Sequence, residues 1–310
     1  MAHPSAHNLA PSFEHPLEVL TEMAEADAPR AMAVVTQTEG GGVRAPGALM
    51  SVGGDGTRRG YVSGGCIDAD VAAHALDALR TGEAKTLHYG AGSPVADLAL
   101  PCGGAIHVRV VPGVEADVLA RAARALRDRA PFALELGGHR FAYTPPLRLR
   151  LAGRGEDLRA LHALARATGL GVEVWSPDED ALPEGGTHLL TPARLPEPSD
   201  DPWTAFVLLF HDRDWELALL DQALGGPAFY IGAVGSARAQ GRLHGGLRAL
   251  GHGEAALARL CGPVGLVPHM RDAASLAIST LAEVVRDFHA LDGAGRQVGP
   301  QIGRQVGRAA

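Results

Sequence analysis

The chain has 310 residues, 28 Lys or Arg against 35 Asp or Glu, and a formal net charge of −7. With 46% hydrophobic and 20% charged residues, its composition is that of a globular protein long enough for two domains. An acidic chain lacks the basic surface that nucleic-acid binding requires. No apolar run approaches the roughly 18 residues that span a membrane, and residues 1–11 lack the basic and apolar regions of a secretory signal. We therefore expect a cytoplasmic protein that binds no nucleic acid and has no membrane span.

Lysine and cysteine exclude further classes because both are rare. Lys85 is the only lysine, and it does not follow the glycine of a Walker A phosphate-binding loop. Cys66, Cys102 and Cys261 form neither a disulfide framework nor a pair at metal-ligand spacing. Free cysteines are typical of a reducing compartment.

Residues 1–145 are predicted to form a mixed α+β domain. Apolar residues at helical spacing predict helices over 16–28, 67–79 and 115–127. Runs rich in β-formers, bounded by glycine turns, predict strands over 31–37, 49–52, 59–63, 85–89, 105–111, 132–136 and 140–143. The proline pair at 145–146 predicts the boundary with the next domain.

Residues 146–292 are predicted to form a Rossmann-like domain because strands and helices alternate, which is the pattern of a parallel sheet. Strands are expected over 147–152, 172–175, 187–190, 205–210 and 228–231. Helices are expected over 156–168, 214–223, 237–250, 254–260 and 272–291. The fold class is therefore α/β, with an α+β domain followed by a parallel-sheet domain. Residues 293–310 carry few apolar side chains and predict a disordered tail.

The first candidate site is Ser63-Gly64-Gly65-Cys66, where a predicted strand ends and a helix begins. Glycines let backbone N–H groups approach a ligand, and a helix N-terminus favours an anion. The same field favours the thiolate of Cys66. The alternative is that Ser63 only caps the helix and that Cys66 is a small core residue.

A second cysteine is followed by glycines in Cys102-Gly103-Gly104, just before a predicted strand. With Pro101 before it, this segment and Ser63-Gly64-Gly65-Cys66 together suggest two glycine-lined cysteine loops that open on one cavity. Cys261 lies in an apolar stretch predicted as helix and is expected in the core.

Gly153-Arg154-Gly155 follows a predicted strand and opens a helix, as in the first turn of a Rossmann unit. A full dinucleotide fingerprint has a third small residue, where this chain has Leu158. It also has an acid at the end of the next strand, where this chain has Ser176. Dinucleotide binding and a tight turn without a ligand both stay open.

Two further turns follow strands of the second domain, at the edge where α/β sheets bind ligands. His211 and Asp212 come after a very apolar strand, and His211 is interpreted as a proton donor, a hydrogen-bond anchor or a structural residue. A strand, a glycine turn and a helix start occur together over residues 231–236, which include Gly232, Gly235 and Ser236. This turn is a second potential phosphate site.

Taken in order, these segments resemble the XdhC/CoxI family of accessory proteins for molybdenum hydroxylases, over about residues 16–290. In the N-terminal half, the resemblance is carried by Ala33-Val34-Val35, Glu39-Gly40, Arg44-Ala45-Pro46-Gly47-Ala48, the Ser63–Asp68 segment and Cys102-Gly103-Gly104. In the C-terminal half, it is carried by Phe210-His211-Asp212, the Tyr230–Ser236 segment, Pro263-Val264-Gly265-Leu266, Ala277-Ile278-Ser279 and Ala282-Glu283.

The resemblance implies an N-terminal CoxI-type domain and a C-terminal Rossmann domain in a homodimer. It implies a chaperone, rather than an enzyme, that binds the molybdenum cofactor (molybdopterin), supports its sulfuration and inserts it into an apo molybdenum hydroxylase such as xanthine dehydrogenase. A cysteine desulfurase is a further implied partner. Cys66 and Cys102 are then expected to contact molybdenum. The cofactor-binding residues are expected to be Ser63, Gly64, Gly65, Cys66, Cys102, Gly103, Gly104, Gly153, Gly155, His211, Asp212, Gly232, Gly235 and Ser236.

Several segments depart from the family pattern. Gly41-Gly42 stand where serines are usual, and Glu156 stands where a histidine is expected. Val267-Pro268-His269-Met270 replaces an Asp-Ile-Gly-Ala segment, and Asp272-Ala273 replaces threonine-proline. These changes leave open whether the C-terminal site still binds a ligand. The alternatives are an NAD(P)-binding Rossmann oxidoreductase and a paralogue that serves only as a dimeric scaffold.

Overall fold

The computed structural model describes residues 15–40, 44–90 and 103–295. This part of the chain divides at Pro146 into two compact units, which we call the N-terminal unit and the C-terminal unit. Cys102 and the tail from residue 296 lie outside the described residues, so the roles predicted for them stay predictions.

The N-terminal unit contains an antiparallel sheet with helices on both faces. Its elements in chain order are α1 (Pro16–Ala24), β1 (Arg30–Glu39), β2 (Leu49–Gly53), β3 (Arg58–Gly60), α2 (Asp68–Thr81), β4 (Lys85–Gly90), β5 (Ala105–Pro112), α3 (Ala116–Arg127), β6 (Phe132–Leu136) and β7 (His139–Tyr143). The five-stranded sheet has the order β3-β2-β1-β5-β4, and β6 and β7 form a separate hairpin. The predicted α+β architecture is confirmed.

The central strand β1 is buried on both faces, because Ala31 to Val35 alternate between two hydrophobic clusters. One cluster holds the apolar side of α2, and the other holds α1, α3 and the hairpin. Helix α1 ends at Ala24, four residues before the predicted end at Ala28. Pro29 disfavours helical geometry in Ala28, so the helix is not expected to reach its predicted end.

The C-terminal unit is a parallel sheet between two layers of helices. Its elements are β8 (Arg148–Gly153), α4 (Gly155–Ala167), β9 (Gly171–Ser176), β10 (Thr187–His188), β11 (Thr204–Leu209), α5 (Arg213–Gly225), β12 (Tyr230–Ala233), α6 (Ala237–Ala249), α7 (Glu254–Leu257), β13 (Leu260–Cys261) and α8 (Ala273–Gly295). The strand order is β10-β9-β8-β11-β12-β13, with every neighbouring pair parallel. This is the order of a Rossmann sheet, and the predicted parallel-sheet fold is confirmed.

The core of this unit lies on both faces of the sheet. Strand β11 is buried at every position, as expected for a parallel strand covered on two sides. Apolar residues of α4 and α8 cover one face, and those of α5, α6 and α7 cover the other. Among the described residues, no helix combines the length and apolarity needed to cross a membrane.

The region around Cys261 differs from the prediction of a helix over 254–260. Helix α7 stops at Leu257, and Leu260 and Cys261 instead form β13 beside β12. The alanine-rich sequence favours a helix locally, but pairing with β12 satisfies backbone groups at the sheet edge. Cys261 is half-buried there and packs against the hydrophobic cluster under α8.

Candidate ligand-binding site in the C-terminal unit

The candidate site lies at the carboxyl edge of the parallel sheet. The strand order reverses direction between β8 and β11, and the loops after these strands leave the sheet on opposite sides. A crevice at such a switch point is where α/β sheets bind ligands. Here the loops that follow β11, β12 and β13 reach one cavity, together with Asp157 of α4, the helix that follows β8.

The cavity has a volume of about 720 Å³, within the range of small-molecule sites. One wall is the turn after β12, with Gly235, Ser236 and Ala237. The opposite wall is the segment 263–272, which connects β13 to α8. Asp157 of α4 and His211 after β11 complete the lining.

The turn after β12 presents the start of α6 to the cavity. Ser236 caps the helix, since its hydroxyl accepts a hydrogen bond from the N–H of Ala239 at 3.2 Å. Gln240 holds the turn from behind, because its side-chain amide donates to the carbonyl oxygens of Ala233 and Val234 at 3.0 and 3.1 Å. The first turn of α6 carries Arg238 and no carboxylate. A helix start with this charge pattern is suited to bind an anion.

The charged groups of the cavity are one arginine, two histidines and two carboxylates: Arg271, His211, His269, Asp157 and Asp272. Asp272 faces the start of α8, where its carboxylate accepts from the N–H of Ser275 at 2.8 Å. This bond lowers the pKa of Asp272. His211 has a 73% exposed side chain and lies 4.0 Å from Asp157. Asp272 is thus held by the start of α8, and the His211 side chain is more exposed than that of Asp157, which is 31% exposed.

A smaller recess of about 250 Å³ adjoins this cavity and shares His211 and Gly235 with it. Arg213, Glu216 and Arg242 are among the side chains that line it. Burial raises the pKa of Glu216, although the nearby charges of His211 and Arg242 oppose this effect. Arg242 of α6 therefore borders a concave site.

The first Rossmann turn, Gly153-Arg154-Gly155, has a structural explanation. A Cβ at Gly153 would lie 2.5 Å from the carbonyl oxygen of Leu209, so the glycine lets the ends of β8 and β11 approach. The first turn of α4 carries Glu156 and Asp157, which disfavour a pyrophosphate at that helix start. Arg154 lies 3.8 Å from Asp178, two residues after the serine that ends β9. This arrangement does not favour NAD(P).

Only some of the site residues predicted in the C-terminal unit line the cavity. His211, Gly235 and Ser236 line the cavity. Asp212 instead caps α5, with its carboxylate accepting from the N–H of Asp214 at 3.1 Å. Gly232 lies within β12, where a Cβ would collide with the ring of Tyr230.

The cysteine loop of the N-terminal unit differs in detail from the prediction. Strand β3 ends at Gly60 rather than at the predicted Ser63, and α2 begins at Asp68, one residue after the predicted start, so Cys66 lies in the loop before the helix. Cys66 is exposed, which rules out the interpretation as a core residue. Ser63 does act as an acceptor near the helix start, from the N–H of Ile67 at 3.2 Å.

The loop owes its shape to one buried carboxylate and two glycines. One oxygen of Asp68 accepts from the N–H groups of Val62 and Ser63 at 3.0 Å each, and from the Ser63 hydroxyl at 3.1 Å. Gly64 and Gly65 have φ angles of +78° and +121°, which side chains rarely adopt. The backbone therefore turns sharply and leaves the Cys66 side chain at the surface.

Of the second glycine pair, Gly103 and Gly104, only Gly104 packs against neighbouring backbone. A Cβ at Gly90 would lie 2.1 Å from the carbonyl oxygen of Gly104, and one at Gly40 would lie 3.2 Å from its Cα. Gly104 is thus buried between two strands, whereas Gly103 is exposed. Within the described part of the chain, no group of three His, Cys, Asp or Glu side chains is arranged to hold a metal ion.

Comparison with known proteins decides the family. A profile of the XdhC Rossmann domain matches residues 149–284, and a profile of the XdhC and CoxI family matches residues 23–90. The molybdenum cofactor insertion chaperone PaoD of Escherichia coli (strain K12) is 32% identical over 273 residues, which are 82% of this chain and 81% of PaoD. The chain belongs to the XdhC and CoxI family.

A solved structure shares the XdhC-type fold. A Bacillus halodurans protein described as a xanthine dehydrogenase superposes with a TM-score of 0.75 at 22% identity, covering 92% of this chain and 98% of that chain. At this identity the similarity concerns the fold alone. The match to the XdhC Rossmann domain contains every residue that lines the cavity.

Sequence reasoning missed several residues that shape this XdhC cavity. His269 lies in a segment that was noted only because it departs from the family pattern, and Arg271 lies between the two departing segments. Gln240 carries no signal in its own local sequence, because its partners are backbone carbonyls of the preceding turn. For Glu283, the one signal in the sequence was its place in the family motif Ala282-Glu283.

Proposed function

We propose that the chain is a chaperone that binds the molybdenum cofactor and delivers it to an apo molybdenum hydroxylase of the xanthine dehydrogenase type. The observation that carries the proposal is the cavity of about 720 Å³, which is lined by the carboxylate-free start of α6, by Arg271 and by apolar side chains. The 32% identity to an insertion chaperone over most of both chains supports the same function.

The chemistry of the cargo fits these walls. Molybdopterin carries a phosphate, a planar pterin ring and a soft dithiolene. The phosphate is assigned to the N–H groups at Gly235 and Ser236, with Arg271 as its counter-charge. The pterin ring is assigned to the apolar side chains of Val264 and Leu276. These contacts are non-covalent, which suits a protein that must release what it binds.

The finer parts of the proposal concern sulfuration and assembly. Because thiolates are soft ligands, we also propose that Cys66 and Cys102 contact molybdenum during sulfuration. The exposure of Cys66 supports access by a partner such as a cysteine desulfurase. We further propose that the protein acts as a homodimer in the cytoplasm and carries out no chemical step of its own.

Binding is tested on the protein purified from cells that make the cofactor. The pterin released on denaturation is oxidised to a fluorescent product and counted per chain. Arg271→Ala is compared with Arg248→Ala, which removes an exposed arginine from the last turn of α6, outside the residues that line the cavity. We expect retention to fall about tenfold in the first variant, for loss of one charged contact, and to be unchanged in the second.

Transfer is tested by reconstituting an apo hydroxylase. The proposal predicts that the loaded wild-type protein restores hydroxylase activity and that Cys66→Ala and Cys102→Ala lower it. Equal transfer by all three proteins would refute the assignment of the cysteines. A wild-type protein without pterin, which instead shows saturable NAD(P) binding, would replace the chaperone by an oxidoreductase. Binding of neither ligand would favour the scaffold.

A further inference from the structure

The wall of the cavity opposite α6 is held from behind by two side chains of α8. Ser279 and Glu283 are four residues apart, so they lie on the same side of this helix. Both contact the backbone of the segment between Val264 and Val267, which forms the wall. This arrangement connects the cavity to a helix that packs Ala277, Val284 and Phe288 into the core.

Glu283 makes the central contact. Its Oε2 atom accepts a hydrogen bond from the N–H of Gly265 at 2.7 Å and another from the Tyr230 hydroxyl at 2.7 Å. The side chain is only 14% exposed, and its other oxygen lies 3.8 Å from Arg286. Burial and the bond to Glu283 raise the pKa of Tyr230, so its hydroxyl remains a donor. A carboxylate buried in this way fixes both of its partners.

The neighbouring residues of the wall are held by Ser279 and by β12. The Ser279 hydroxyl accepts from the N–H of Val267 at 2.8 Å, and its carbonyl accepts from the N–H of Leu266 at 3.3 Å. On the other side, the N–H of Val264 donates to the carbonyl of Ala233 at 3.2 Å. Four consecutive N–H groups are therefore used, and the wall has little freedom to move.

Gly265 is required for this close approach. Its φ angle is +107°, and a Cβ there would lie 2.7 Å from the Ser279 hydroxyl oxygen. The N–H of Gly265 can then point at Glu283 while the segment runs along the cavity. Tyr230 and Glu283 lie behind the wall and are not among the described residues that line the cavity.

We infer that Glu283 is a positioning residue for cargo binding: it sets the wall at Gly265 relative to the start of α6. It touches the wall and not the ligand, so it acts on affinity through Gly265. This inference rests on the proposed function, because the affinity that the wall affects is the affinity for the proposed cargo.

Three variants separate positioning from general stability. Glu283→Ala removes the acceptor of both Gly265 and Tyr230. Tyr230→Phe is the matched control. It removes the hydroxyl that donates to Glu283 but leaves the bond between Glu283 and Gly265. Glu283→Gln keeps a side-chain oxygen for Gly265 and is the conservative variant. Pterin retention and hydrogen exchange of residues 262–270 are measured for each holoprotein as purified.

We expect Glu283→Ala to lower pterin retention about tenfold or more and to speed exchange of residues 262–270 by a similar factor, since one charged hydrogen bond is lost. Tyr230→Phe should leave both within about threefold of wild type, and Glu283→Gln should restore most of the retention. Wild-type behaviour of Glu283→Ala in both measurements, or equal losses in Glu283→Ala and Tyr230→Phe, would overturn the inference.

The exchange measurement also separates this inference from the proposed function. If wild-type protein retains no pterin, the chaperone proposal fails, and exchange of residues 262–270 in the same variants still decides whether Glu283 positions the wall.

Discussion

Replacing Asp68 tests how the exposed cysteine loop is held. This carboxylate is only 7% exposed, and one of its oxygens accepts three hydrogen bonds from Val62 and Ser63. Asp68→Ala leaves two buried N–H groups without an acceptor, whereas the Ser63 hydroxyl can rotate towards another partner. Asp68→Asn keeps an oxygen in the same place and removes only the charge.

The expected destabilisation follows from these contacts. A buried donor without a partner costs about 1–3 kcal/mol, so two of them predict about 2–6 kcal/mol for Asp68→Ala. A charge-assisted hydrogen bond is about twice as strong as a neutral one, so Asp68→Asn should cost about 1–2 kcal/mol. The alanine variant should therefore speed opening of the loop by about 30-fold or more.

Hydrogen exchange of residues 60–68 measures this opening directly. Urea unfolding followed by circular dichroism measures the free energy of unfolding of the N-terminal unit. Trp175, Trp203 and Trp215 are the only tryptophans, and all three lie in the C-terminal unit. Tryptophan fluorescence thus serves as an internal control and should show an unchanged transition. Equal exchange in Asp68→Ala and Asp68→Asn would refute the reasoning, because it would mean that the buried acceptor does not hold the loop.

Two further predictions concern cysteine reactivity and acid stability. Iodoacetamide should alkylate Cys66 at least about tenfold faster than Cys261, because Cys66 is exposed whereas burial raises the pKa of the Cys261 thiol. Peptide mass spectrometry measures both alkylation rates, and equal rates would contradict the structure. The hydrogen bonds from Lys85 and Arg80 lower the pKa of Asp77 from 3.8 to about 2, so this carboxylate stabilises the fold above pH 3.8 and its contribution is lost as the pH falls through about 2. Lys85→Met should raise the pKa of Asp77 in an NMR titration, and an unchanged value would show that Lys85 is not its main partner.

The fold class was accessible from the sequence because its signals are local. Alternation of apolar strands and amphipathic helices after Pro146 is enough to predict a parallel sheet, since each strand must be covered on two faces. Glycine turns after β8 and β12 were also visible, because a glycine at a strand end marks a sharp change of backbone direction.

The meaning of individual glycines was not accessible in the same way. Gly153 and Gly104 were both predicted to approach a ligand. In the structure, a Cβ at Gly153 would collide with the carbonyl oxygen of Leu209, and the backbone of Gly104 is closely approached by Gly40 and Gly90. Gly235 likewise lies in a turn next to a strand end, yet it lines the cavity. Only the position of the neighbouring strands distinguishes these cases.

By itself, the sequence determined the two kinds of domain, the turns that follow the strands and the family pattern. The tertiary structure decided that Cys261 joins the sheet edge, that Cys66 is exposed, and that the turn at Gly235 faces the segment at Gly265. These outcomes depend on partners far apart in the chain, such as Gly265 and Glu283. Local propensity cannot encode such contacts, because their free energy arises only when packing brings the partners together and removes water from both.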